Sequence, residues 1–191
     1  GQCAYGDTAA QVQVVLFGDS HAGHWTPALE ALASEKGWHV ERLTRGACNS
    51  FARPEGAEGN SLGTNRACRR WLDRTWREIE RLKPDLLILS NVSRPKKTDD
   101  FESLVRQAIE RAPEETRVAV FSQDPLSGTD VPECLSDHLE DTAKCDPTRS
   151  PDWPASIDAV LSAVAAESGA TFVDLTPMLC TSDRCPTIAE N

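Results

Sequence analysis

Five short apolar runs, separated by stretches of helical periodicity, constrain this chain more than any other feature. The runs are Gln13 to Phe17, closing on Gly18, then His39 to Leu43, Asp85 to Ser90, Arg117 to Phe121, and Thr171 to Leu175. The third contains Leu86-Leu87-Ile88-Leu89, with no polar alternation, as expected of a strand covered on both faces. Between the runs, apolar residues recur at helical spacing. Trp25, Ala28, Leu29, Leu32 and Ala33 precede Gly37, and Leu72, Trp76, Ile79 and Leu82 precede Pro84. Phe101, Leu104, Val105, Ala108 and Ile109 form a third stripe, and Ile157, Val160, Leu161 and Val164 a fourth that stops near Gly169. Alternation of this kind predicts a three-layer α/β/α domain over residues 1–191, with a five-stranded, mostly parallel sheet and right-handed crossovers. No linker divides it. The span from Gln123 to Pro151 shows no regular periodicity and reads as a long loop.

Parallel sheets bind ligands beyond the carboxyl ends of their strands. The residues there are Gly18-Asp19-Ser20-His21, Gly46-Ala47, Ser90-Asn91, Ser122-Gln123-Asp124 and Thr176-Pro177-Met178. The first set carries the most chemistry. A serine at a strand-to-helix turn points its hydroxyl off the sheet edge, with its backbone N–H near a helix N-terminus that favours negative charge. Gly18 allows close approach or unusual backbone angles, and Asp19 can accept hydrogen bonds from loop amides. The competing reading of Ser20 is a helix N-cap.

The formal net charge of −10 argues against a nucleic-acid partner, because such proteins present a basic face to phosphate. A local exception is the run Arg66, Arg69, Arg70, Arg74, Arg77 and Arg81, whose plainest reading is a solvated helix face. No run reaches the length of a membrane helix. Of seven cysteines, six fall into local pairs around loops: Cys48 with Cys68, Cys134 with Cys145, and Cys180 with Cys185. These pairs read as disulfides and hence an oxidising compartment; the competing reading is seven reduced thiols in a cytosolic protein. Cys3 is left over, which suggests a partner upstream. The five tryptophans could stack on sugars, although their helical spacing favours core packing.

The block Val14-Val15-Leu16-Phe17-Gly18-Asp19-Ser20-His21-Ala22 resembles the first block of the SGNH hydrolase superfamily. More narrowly, Gly-Asp-Ser-His-Ala, Cys48, Cys68 before Trp71, and Cys180 and Cys185 followed by Pro186 resemble the SGNH domain fused to acyltransferase-three membrane acyltransferases. The resemblance covers nearly the whole chain. It implies a flavodoxin-like SGNH hydrolase fold, with Ser20 as acyl-accepting nucleophile and no metal or organic cofactor. It also implies an oxyanion hole from the Ser20 N–H, the Asn91 side chain and a glycine N–H. Gly46 is the candidate glycine, with Ala47 and Gly37 close by in sequence. Asp19 and His21 support the turn. An acyl donor delivered by a membrane acyltransferase module, a glycan or glycolipid acceptor and an extracytoplasmic, membrane-tethered location follow from the same resemblance. A carbohydrate esterase and a non-catalytic glycan-binding domain are the alternatives on this scaffold.

The family closes with an Asp-x-x-His block that supplies the general base. No such pair follows Thr171, so we expect the base in a segment beyond Asn191 of a longer polypeptide. Of the four histidines present, His21 is adjacent to Ser20 and poorly directed. His24 lies one turn on and could approach the hydroxyl, His39 falls on a strand, and His138 falls in the long loop.

Overall fold

The computed structural model describes residues 3–51, 66–92, 98–124, 130–147 and 155–188. The strands are β1 (Cys3–Gly6), β2 (Val12–Gly18), β3 (Trp38–Thr44), β4 (Leu86–Ser90), β5 (Arg117–Phe121) and β6 (Thr171–Val173). They form one sheet in the order β1-β3-β2-β4-β5-β6. All neighbours run parallel except β1, which pairs antiparallel with the edge of β3. The five expected strands are therefore present and a sixth caps one edge. β1 escaped the sequence reading because Cys-Ala-Tyr-Gly is too short and too small to make an apolar run, and only its partner gives it order.

The helices are α1 (Thr26–Lys36), α2 (Arg66–Leu82), α3 (Thr98–Glu110), α4 (Val131–Asp137), α5 (Ala155–Glu167) and α6 (Thr176–Leu179). Strand residues alternate between two apolar layers. Val15, Phe17, Leu87, Leu89, Val118 and Val120 pack with Leu72, Trp76 and Ile79 of α2, Val105 of α3 and Leu161 of α5. Val14, Leu16, Val40, Ile88 and Ala119 face the other way, onto Leu29 and Ala33 of α1. Burying both faces explains the unbroken apolar runs of β2 and β4. Helix α1 ends at Gly37, whose φ of 64° is the left-handed conformation that favours glycine at this position.

Trp76 is buried in the core, while Trp25, Trp38 and Trp71 are partly buried against the two layers, so these four serve packing. Phe17 stands edge-on to Trp76 at a centroid distance of 5.1 Å. Trp153 and residues 52–65 of the loop after β3 lie outside the described residues. The span after Gln123 is more regular than expected. It holds α4 and a 3-10 turn, Thr142–Cys145, joined by the Cys134–Cys145 disulfide. The other two expected pairs, Cys48–Cys68 and Cys180–Cys185, are also bonded. Cys3 is half-buried with no disulfide among the described residues, and its sulfur lies 3.5 Å from the Arg42 guanidinium.

Candidate active site

The strand order places a topological switch point between β2 and β4. The chain leaves β2 for β3 on one side and returns to β4 on the other, which opens a crevice at the carboxyl edge. Gly18 pairs in register with Thr44 of β3 and with Ser90 of β4. Two residues past that rung stand Ser20 and Gly46, and one residue past it stands Asn91. Residues far apart in sequence thus follow the same edge of three adjacent strands.

Gly18 is required by proximity. A Cβ there would run into the Ser90 carbonyl oxygen and the Ala22 side chain. Its φ is not positive, so close approach and not an unusual backbone angle explains the glycine. Ser20 is exposed, and among the described residues its hydroxyl makes no hydrogen bond. Its carbonyl accepts the Gly23 N–H at 3.1 Å, opening a 3-10 turn, Ala22–Trp25, that has no side-chain cap. Ser20 is therefore not an N-cap. The α-helical turn starts only at Thr26, where Pro27 sits in the first turn.

Asp19 is buried and clamps the crevice. Its Oδ1 accepts the His21 N–H at 2.9 Å and its Oδ2 accepts the Val92 N–H at 3.0 Å. Burial pushes the Asp19 carboxyl above the usual carboxylate range; the two N–H bonds pull it down, and the charge of Asp124 pushes it up. The carboxylate thus fixes the turn holding Ser20 to the residue following Asn91.

Asn91 is buried and aimed at the loop after β3. Its Oδ1 accepts the Ser50 N–H at 2.8 Å, which fixes the amide orientation because a backbone N–H can only donate. Its Nδ2 donates to Ser50 Oγ at 2.7 Å, leaving a second amide hydrogen for another acceptor. Asn49, also buried, donates to the Val92 carbonyl at 2.8 Å and accepts the Phe51 N–H at 2.8 Å. The Cys48–Cys68 bond ties this loop to the first turn of α2. Asn49 and Ser50 escaped the sequence reading; their place beside Cys48 was the available signal. Gly46 is exposed in the preceding turn, where Arg45 N–H bonds the Gly18 carbonyl at 3.1 Å and Ala47 has a φ of 58°.

The second grouping joins β5 to the turn after Ser20. His24 Nδ1 lies 2.8 Å from Asp124 Oδ2, and the rings of His21 and His24 are 4.9 Å apart. Asp124 is buried, and its Oδ1 has no hydrogen-bond partner among the described residues. The peptide before it is pinned by Gln123 N–H to Asp158 Oδ1 at 3.0 Å and by Ser122 N–H to the Val173 carbonyl at 2.9 Å. Asp124 was visible in sequence only as a strand-end residue, because its partner lies 100 positions earlier. His39 is a buried residue of β3 whose Nδ1 finds no hydrogen bond among the described residues, and His138 caps the C-terminus of α4. The described residues contain no cluster suited to a metal ion.

A doubly wound sheet with an exposed serine just beyond β2, and a buried asparagine just beyond the adjoining β4, has the form of an SGNH-type α/β scaffold. The family model described as "SGNH domain (fused to AT3 domains)" matches residues 1–191, and the chain belongs to that family. Among solved structures it is similar to the periplasmic domain of a lipopolysaccharide acetyltransferase of Salmonella ser. Paratyphi A. The TM-score is 0.70 at 18% identity, covering 94% of this chain and 72% of that one. No curated protein matches the sequence.

Proposed function

We propose that this chain is an extracytoplasmic serine O-acyltransferase domain. It passes an acyl group, acetyl in the simplest case, to a hydroxyl of a cell-surface glycan or glycolipid. The observation that supports this reading is the rung Gly18–Thr44–Ser90, just beyond which the chain supplies Ser20, Gly46 and Asn91. Ser20 Oγ attacks the donor carbonyl and passes its proton to a general base, which hands that proton on to the donor's leaving group. The tetrahedral oxyanion accepts hydrogen bonds from the Ser20 N–H, the Gly46 N–H and the free Asn91 amide hydrogen. Each such donor is worth about 3 kcal/mol in the transition state. Collapse expels the donor's leaving group, which takes up a proton, and leaves an ester on Ser20. An acceptor hydroxyl then attacks that ester, the acyl–Ser20 bond breaks, and the serine regains a proton.

Three considerations support the setting. The family is named for fusion to AT3 domains, which fits a membrane acyltransferase module as acyl supplier. The similar solved structure is a periplasmic domain of an acetyltransferase. Three disulfides suit an oxidising compartment. No helix of the described residues is long and apolar enough to cross a membrane.

The test is donor turnover with and without a glycan acceptor. Acceptor-dependent turnover and an acylated glycan are expected. Turnover that ignores the acceptor, with no acylated product, would replace transfer by ester hydrolysis.

A further inference from the structure

Helix α2 turns an arginine row directly away from the core. Its buried residues are Cys68, Leu72, Thr75, Trp76 and Ile79. At about 100° per residue, Arg66, Arg70, Arg74, Arg77 and Arg81 fall within about 80° of one another, on the opposite side of the helix. All five are exposed. Arg81 pairs with Glu78 at 2.6 Å, whereas Arg66, Arg70, Arg74 and Arg77 have no ion-pair partner among the described residues. Asp73 forms no ion pair with the row among the described residues, and Glu80 lies 3.7 Å from Arg111. The row is about 22 Å long at 1.5 Å per residue. It stands on a chain of formal net charge −10, so the rest of the surface carries the entire negative excess.

We propose that this row seats the domain on an anionic bilayer, with guanidinium groups on lipid phosphates. A guanidinium fork matches phosphate geometry, and four arginines without an ion pair among the described residues have donors to offer. The row is a band along the exposed side of one helix, which suits a plane of head groups. A flexible polyanion that wrapped the domain would meet its acidic remainder, whereas a plane touches one line. The Cys48–Cys68 bond anchors the start of α2 to the loop after β3, so seating α2 also fixes the carboxyl edge of the sheet relative to the head groups. The proposal stands independently of the acyl-transfer reading.

The test is co-sedimentation of the 191-residue chain with vesicles of phosphatidylglycerol and phosphatidylcholine in equal parts, against phosphatidylcholine alone. Binding to the anionic vesicles, weakened by salt, is expected. Each arginine should contribute about fivefold in affinity. Replacing Arg66, Arg70, Arg74 and Arg77 together by Gln should abolish sedimentation, and replacing them by Lys should retain most of it. Single Gln replacements, which leave the helix intact, should each weaken binding by about fivefold. Equal binding to both vesicle types, no binding at low salt, or Gln variants that bind like the parent would overturn the proposal. Retention on an immobilised anionic polysaccharide without vesicle binding would also overturn it.

Discussion

Asp19 Oδ2 accepts the Val92 N–H at 3.0 Å across the switch point, while its Oδ1 holds the His21 N–H. One carboxylate thereby joins the turn carrying Ser20 to the strand end carrying Asn91. Asp19→Asn preserves size but replaces one acceptor with a donor, so one of the two N–H groups loses its partner. A cost of about 1–3 kcal/mol in urea unfolding is expected, together with a fall in acyl transfer. A variant as stable and active as the parent would show that the clamp does not set the site.

The His24–Asp124 bond holds the segment after β5 against the turn after Ser20. A double-mutant cycle with His24→Gln and Asp124→Asn should return an interaction energy of about 1 kcal/mol in unfolding, modest because His24 is exposed. A value near zero would mean that Asp158 and the Ser122 backbone bond hold that segment alone.

The visible and hidden parts of this site divide along physical lines. The strands β2 and β4 announce themselves because both faces are buried, and Gly18-Asp19-Ser20 follows directly from the end of β2. The pairings Asn91–Ser50 and His24–Asp124 were invisible, since each joins loops separated by 41 and 100 positions, and no local pattern encodes such contacts. Strand β1 and helix α4 were missed for another reason. One is ordered by its β3 partner, the other is a short turn pinned by a disulfide.

Asp158 gives stability a pH dependence. Burial pushes its carboxyl from 3.8 up to about 6; the Gln123 N–H opposes this and the charge of Asp174 adds to it. Between those values the folded chain binds more protons than the unfolded chain, so this group's stabilisation is full below 3.8 and is lost as pH rises through about 6. Burial shifts Asp19 in the same direction. Asp158→Asn keeps an oxygen for the Gln123 N–H and removes the titration. Urea unfolding across this window should show a flatter profile for the variant, and an unchanged slope would assign the dependence elsewhere.

The Cys48–Cys68 disulfide closes a loop across 20 positions and fixes the residues that hold Asn91. Replacing both cysteines with Ala should cost about 3 kcal/mol. Acyl transfer should fall further than the unfolded fraction alone explains, because Ser50 loses its anchor. Activity that tracks the folded fraction would confine the bond to a stabilising role.

The central claim is that Ser20 carries the acyl group between donor and acceptor. Incubation with an activated acetyl ester, followed by rapid acid quench and peptide mass spectrometry, tests it directly. One acetyl group is expected on the peptide containing Ser20, lost on addition of acceptor and absent from a folded Ser20→Ala variant. Acetylation at the same rate in Ser20→Ala, or a folded full-length protein that never acquires the group, would contradict it.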